Sequence, residues 1–505
     1  LYVAAVRTRL ILAVTVVIGL VAGTTAFALR DASSSAAAPL TWTPKPGLPF
    51  AEPAQLHSRN GVLEVKLHAD RGTIDVSGSP VVAQPFNGQI IGPTLHVKPG
   101  DTIEVTFVNA TDQLTNIHYH GLHVNPNGIS DNVFRSFHPG QTIRSVVTLP
   151  RNHSPGTYWY HVHLHGLTES QVMGGLSGLL VVEGLQRLLP RSLQHVEERQ
   201  FAIRNLQTDA DHVVLQDENI DPTRPSAQLV NGRLLPKLSL RSGETQLWRI
   251  GNIGSDLFYD VSLEGHLMTV IAEDGSPVWR VHKATHLVLP PGKRYDVLVT
   301  GGRPGSYAFK TLHYDEGFEY LPKADLAQVT VTGPNRGAHV SIPRRLDTPG
   351  KPLGRRPVFK QRRFVFSFGR GAQFRALING EQFDPDKNNV VPILGTVEQW
   401  TLINHTSEDH PFHIHVNDFQ VMSVNGKPFH ANGLQDVVVI PKNGGRVVIR
   451  NPFDDFSGHY VFHCHILGHE DAGMMQVVDV VRRGERPTPP PEGGMAHMMV
   501  DSIGR

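Results

Sequence analysis

The sequence predicts an all-β chain of three consecutive β-sandwich domains, and three observations carry that expectation. Glycine (48) and proline (37) are plentiful among the 505 residues, a supply of turn formers that suits many short strands better than long helices. A weak self-similarity recurs three times at a period of about 150 residues, marking equivalent positions in three units. Within each unit, apolar and polar residues alternate with the period of two expected of half-buried strands. The length, at 40% hydrophobic residues, is too great for one core and suits about three domains. Lys and Arg total 47 against 46 for Asp and Glu, with no basic run, so nucleic acid is not expected as a partner. Cys464 is the single cysteine, which excludes an intrachain disulfide.

Taken in order, Arg7 and Arg9 precede an apolar run over residues 10–22, and Ala26-Phe27-Ala28 follows as a small-residue cleavage motif. This is the pattern of a secretory signal peptide, or of an N-terminal anchor where it is retained. Residues 1–30 are assigned to that segment and residues 31–47, rich in small residues and proline, to a linker. An extracytoplasmic location is expected, with membrane contact only through an uncleaved N-terminus. Each unit then opens with Asn-Gly (Asn87-Gly88, Asn231-Gly232, Asn379-Gly380), followed by Gly100, Gly243 or Gly395, an alternating run, and Asn109, Asn252 or Asn404. A second anchor comes later: Gly156-x-Tyr158-x-Tyr160, Gly305-x-Tyr307-x-Phe309 and Gly458-x-Tyr460-x-Phe462, strands with an inward aromatic stripe. The domains are placed at 48–190, 191–350 and 351–484, with a Pro- and Met-rich tail over 485–505. The string Asp384-x-Asp386-x-Asn388 lacks the glycine and glutamate of a calcium loop and reads as a turn.

There are 28 histidines, and their register is the strongest signal in the chain. Nine and eleven residues past Asn109 stand His118 and His120, and the same count past Asn404 gives His413 and His415. Five and seven past Gly156 and Gly458 stand His161, His163, His463 and His465. The middle unit has Val261, Leu263, Lys310 and Leu312 at these places, so it carries no ligands. Residues two apart on a strand share a face, so four pairs of imidazoles are expected to converge where the first and third units meet.

Alternation sends the Cys464 sulfur to the face opposite His463 and His465. With His410, His469 and Met474 it makes a set of two imidazoles, a thiolate and a thioether, the soft ligands of a blue, electron-transferring copper. A zinc site would normally use more sulfur or a carboxylate. Met475 is the neighbouring alternative to Met474. His123 and His165 are expected near the ligands without being ligands, and His459 is expected simply to pack.

At His118-Tyr-His120-Gly121, His161-Val-His163, His410-Pro-Phe-His413-Ile-His415 and His463-Cys464-His465-x3-His469-x4-Met474 the sequence resembles the three-domain multicopper oxidases, the laccase-like family. The resemblance runs from about residue 48 to 481 and implies cupredoxin-like Greek-key sandwiches. It further implies four copper ions. Type 1 copper would be held by His410, Cys464, His469 and Met474, and type 2 copper by His118 and His413. The type 3 pair would be held by His120, His161, His163, His415, His463 and His465. Cys464 would carry electrons inward and Glu470 and Asp131 would deliver protons as dioxygen is reduced to water. Its partners would be dioxygen and a small organic reductant, phenols or aromatic amines, because only eight methionines are present and none forms a methionine-rich insertion. The alternatives are a metallo-oxidase of Cu(I), Fe(II) or Mn(II), and a non-catalytic periplasmic scaffold of the same fold. The tail with Met495, His497, Met498 and Met499 is expected to be disordered.

Overall fold

The computed structural model describes residues 42–215, 220–221, 224–318, 323–337, 341–348, 350–371 and 374–491. The segment read as a signal or anchor, most of the linker and the Met-rich end of the tail lie outside them. The described residues fall in one compact unit, built from three two-sheet layers, each with its own apolar core. Only two short α-helices occur among them, Thr168–Gly174 and Leu467–Asp471.

The N-terminal layer pairs a sheet of Gln55–His57, Thr94–Val97, Ser177–Val182 and Gly156–His161 with one of Val62–Ala69, Thr102–Asn109 and Thr142–Thr148. Strand alternation is visible directly: Thr102–Asn109 buries every second residue, so Ile103, Val105 and Phe107 enter the core. The corresponding strands of the other units, Thr245–Asn252 and Thr396–Asn404, pair in parallel with Glu197–Leu206 and Lys360–Phe368, as Thr102–Asn109 does with Val62–Ala69. The middle unit has sheets of seven and five strands, and the C-terminal unit sheets of six and five.

Both repeated asparagines have a physical reason. Asn87, Asn231 and Asn379 take φ of 52°, 52° and 56°, and the glycine after each is also at positive φ. That is the conformation a two-residue hairpin turn of type I′ requires. The side chains of Asn109, Asn252 and Asn404 turn the chain out of the sheet. Asn404 Nδ2 donates to Glu408 O (2.6 Å) and Ile440 O (3.1 Å), while its Oδ1 accepts from Thr406 N and Oγ1. Asn109 makes the matching bonds to Gln113 O, Phe137 O and Thr111. Asn109 and Asn404 therefore aim the segments that bear the next histidine pairs.

The aromatic strands do double service. Tyr158 and Tyr160 fill the N-terminal core, while Trp159 points the other way into a cluster with Leu179, Ala202, Leu206, Leu229 and Ile253. That cluster joins the N-terminal and middle sheets. It also takes in Trp42, 2% exposed, so the described end of the segment read as a linker is packed. Residues Val133, Phe134, Leu164, Phe383, Val461 and Met475 form a further cluster between the N- and C-terminal sheets.

Candidate metal centre

Within each end unit the two histidine-bearing segments lie side by side. His118 and His161 form an antiparallel bridge, with His118 N donating to His161 O (2.8 Å) and His161 N to His118 O (3.0 Å). His413 and His463 are direct partners in the antiparallel pairing of His410–Ile414 with Gly458–Cys464. The two assemblies then face one another. The ring of His118 stacks on His415 at 3.9 Å between centroids, and His120 on His413 at 3.8 Å. His163 Nε2 lies 3.1 Å from His463 Nε2 and 3.2 Å from His415 Nε2. His120 and His465 approach to 4.8 Å, with His161 at 5.9 and 5.8 Å from them. All eight imidazoles, four from each end of the chain, thus meet in one buried space.

A second group sits on the other face of the same strand. Cys464 Sγ lies 3.3 Å from His410 Nδ1 and 3.8 Å from His469 Nδ1, and those nitrogens are 3.3 Å apart. Met474 belongs to the C-terminal core with Cys464, and its carbonyl accepts the Cys464 N–H (3.0 Å). Met475 occupies the opposite face, opposite His463 in register and within the cluster between the end sheets.

The outward ring nitrogens are held. His118 Nδ1 is 3.0 Å from Asp131 Oδ1, which also accepts from Tyr119 N. His161 Nδ1 faces Val162 O (2.6 Å), His413 Nδ1 faces Asp436 O (2.9 Å) and His463 Nδ1 faces Cys464 O (2.9 Å). Glu470 spans two rings, its Oε1 3.4 Å from His163 Nδ1 and its Oε2 3.1 Å from His463 Nδ1. At the outer group His410 Nε2 meets Thr406 Oγ1 (2.8 Å) and His469 Nε2 meets Glu408 Oε2 (3.3 Å). Such bonds fix tautomer and ring orientation, leaving the opposite nitrogen as a donor for metal.

The inward nitrogens fit a metal ion. Nε2 of His118, His120, His161 and His413, and both ring nitrogens of His465, are buried with no hydrogen-bond partner. Each such orphan costs about 1–3 kcal/mol, and so many in one place make sense only around a cation. Burial, reinforced by the neighbouring imidazoles, holds His118, His120, His161, His413, His415 and His465 well below the ordinary pKa. They are neutral and their lone pairs are available. Burial pushes Asp131 up to about 8. For Glu470 burial acts in the same direction, but the rings of His163 and His463 outweigh it and keep the carboxylate ionised.

His123 joins no ligand group: its Nδ1 faces Val416 O (2.7 Å) and its Nε2 Asp455 Oδ1 (2.8 Å), bridging the end units. His165 packs edge-on against Phe383, and His459 is buried with Nε2 3.1 Å from Thr488 O. Asp384 accepts from Asp386 N, forming the expected turn. The middle unit supplies no imidazole, yet it closes the site in a way no spacing rule reveals. A Cβ on Gly292, at φ +82°, would stand 3.0 Å from His120 Nε2 and from His465. Arg294 Nη1 lies 3.3 Å from His120 Nδ1 and pairs with Asp436 (2.7 Å), while Lys293 and Asp274 complete a buried ion network. The only signal in the sequence is a run of ordinary charges around Gly292, indistinguishable from a surface turn.

Three family profiles, each described as multicopper oxidase, match residues 69–187, 192–324 and 356–484. The chain is similar to the multicopper oxidase mco of Staphylococcus aureus, 27% identical over 84% of this chain and 90% of the relative. It is similar also to a laccase of Bacillus stratosphericus, 25% identical over 86% of this chain and 97% of the relative. Among solved structures, the laccase-like multicopper oxidase CueO of Ochrobactrum sp. superposes with a TM-score of 0.74 at 27% identity, covering 86% of this chain and all of that one. A metallo-oxidase of Campylobacter jejuni shares the fold, with a TM-score of 0.75 at 24% identity, covering 86% of this chain and 96% of that one. With all-β cupredoxin-like units and a donor set made for copper, this chain belongs to the multicopper oxidase family and is a copper oxidoreductase that uses dioxygen.

Proposed function

We propose that the chain is a laccase-like oxidase of phenols or aromatic amines that acts outside the cytoplasm. In this reading four copper ions are held: type 1 by His410, Cys464, His469 and Met474, type 2 by His118 and His413, and the type 3 pair by His120, His161, His163, His415, His463 and His465. Bound copper would supply one-electron acceptance at the outer position and four-electron reduction of dioxygen to water at the inner one. The observation that carries the reading is the convergence of eight buried imidazoles, four from each end of the chain, whose inner nitrogens face one another.

The side chains around this donor set have definable tasks. His469, the most exposed of the outer group, is flanked by Phe368 at 5.3 Å and Phe374 at 5.7 Å. Phe374 is 57% exposed and offers a planar donor an aromatic ledge beside the imidazole. Glu408, at His469 Nε2, stands ready to accept the proton that a phenol releases as it is oxidised. At the inner space Asp131 holds a proton at neutral pH and fixes the His118 ring through Nδ1, while the ionised, buried Glu470 orients His163 and His463. Gly292 and the Arg294–Asp436 pair exclude water from the far side.

A metal-ion donor is the second reading, favoured by the same Glu408, whose carboxylate beside His469 also suits a reduced cation. An oxygen electrode decides between them. Rapid oxygen uptake with a methoxyphenol or an aromatic diamine, and slow uptake with Fe(II), Mn(II) or Cu(I), is expected. Uptake with metal ions alone would replace the organic donor with a metallic one.

A further inference from the structure

Away from the copper ligands, three potential metal donors converge on the outer face of the N-terminal sheet. His57 and His96 are direct partners in the parallel pairing of Gln55–His57 with Thr94–Val97, so both rings leave the same face, stacked at 4.3 Å between centroids. Glu183 follows Ser177–Val182, the next strand, and is anchored there by its N–H bond to Val97 O (2.8 Å). Its Oε1 lies 3.5 Å from His57 Nδ1 and 3.9 Å from His96 Nδ1. All three donor atoms are within 4.8 Å of one another.

The surroundings decide which way His96 is protonated. Gln55 Nε2 donates to Pro53 O (2.7 Å) and to Gln200 Oε1 (3.1 Å), so its Oε1 is the atom facing His96. His96 Nε2, 2.6 Å from that oxygen, must therefore donate its hydrogen there. Nδ1 keeps its lone pair 3.9 Å from the Glu183 carboxylate, and neither acceptor has a hydrogen to offer the other. Burial, with His57 adding to it, lowers the pKa of His96 to about 4, so no second proton arrives at neutral pH. A cation between the groups removes the conflict. Tetrahedral ligands about 2.0–2.2 Å from a metal ion are close to 3.5 Å apart, which the His57–Glu183 distance meets. His57, half exposed, is free to tilt toward the same point.

We propose that His57, His96 and Glu183 form a surface site for a divalent first-row metal ion, distinct from the copper centres. Two imidazoles and one carboxylate bind Cu2+ most strongly and also suit Zn2+, with water completing the shell. The bound ion clamps the edge strand Gln55–His57 onto the sheet that contains Gly156–His161. The inference does not depend on the donor assigned to the enzyme.

The test uses copper-loaded holoprotein from which surface-bound copper has been stripped by a chelator that leaves the blue absorption intact, then dialysed against Zn2+, with that absorption recorded in parallel. The wild-type chain takes up one zinc ion, and His57→Ala and Glu183→Gln, both altered at the surface, bind it at least about tenfold more weakly with unchanged colour. A wild-type thermal midpoint that rises with Zn2+, and variants in which it does not, would accompany this. Equal zinc uptake by wild type and both variants, or no uptake by the wild type, would overturn the proposal.

Discussion

His463, Cys464 and His465 occupy successive positions, and alternation directs the two imidazoles into one buried space and the sulfur toward His410 and His469. Cys464→Ser is expected to leave the inner histidines in place while abolishing the blue absorption and lowering donor oxidation by at least about a hundredfold, read by visible spectroscopy and steady-state kinetics. The ledge beside His469 makes a narrower claim. Phe374→Ala removes an exposed ring that lies 5.7 Å from the imidazole, and loses about 1 kcal/mol of apolar contact with an aromatic donor. KM for phenols should rise roughly fivefold with kcat little changed; a fall in kcat at constant KM would place the ring in a structural role.

At the level of elements, the asparagine that closes each strand carries more of the architecture than its size suggests. Asn404→Ala strips Glu408 O and Ile440 O of donors and Thr406 of its acceptor, all buried, and should lower stability by about 2–3 kcal/mol in denaturant titrations. These asparagines and the Gly-x-Tyr strands were legible in the sequence because their turn and strand requirements are local. The histidine pairs were legible through register, since residues two apart on a strand share a face. The loop at Gly292 was not, because its role is to approach His120 and His465 from another unit, and no local propensity marks a close approach in three dimensions. The same holds for Glu408, whose relation to His469 arises only when two segments of the C-terminal unit fold together. Gly292→Ala, crowding both imidazoles at a residue with φ +82°, is expected to reduce the copper retained by the inner site while Cys464 keeps its colour.

Across the whole molecule, the end units are joined by charged and polar bridges as well as by apolar seams. Arg294 of the middle unit pairs with Asp436 of the C-terminal unit in full burial, so Arg294→Met should destabilise by about 3–5 kcal/mol, because it strands buried carboxylates. His123 ties the N-terminal unit to Val416 and Asp455. Burial lowers its pKa, but the Asp455 hydrogen bond and charge, together with the Val416 carbonyl, outweigh that and raise it above 6.5. Its contribution to stability is therefore complete below pH 6.5 and is lost as pH rises through the elevated folded-state value. The pH dependence of the thermal midpoint in that window should flatten in His123→Ala. The central claim, that imidazoles from opposite ends of the chain share their metal, is tested most directly by copper quantitation with electron paramagnetic resonance on the wild type, His118→Ala and His413→Ala. A blue wild type with about four copper ions per chain once surface copper has been removed by a chelator, and type 2 copper lost equally when either end's histidine is removed while the blue signal persists, is the result expected. Type 2 copper that survives in one of the two variants would contradict it.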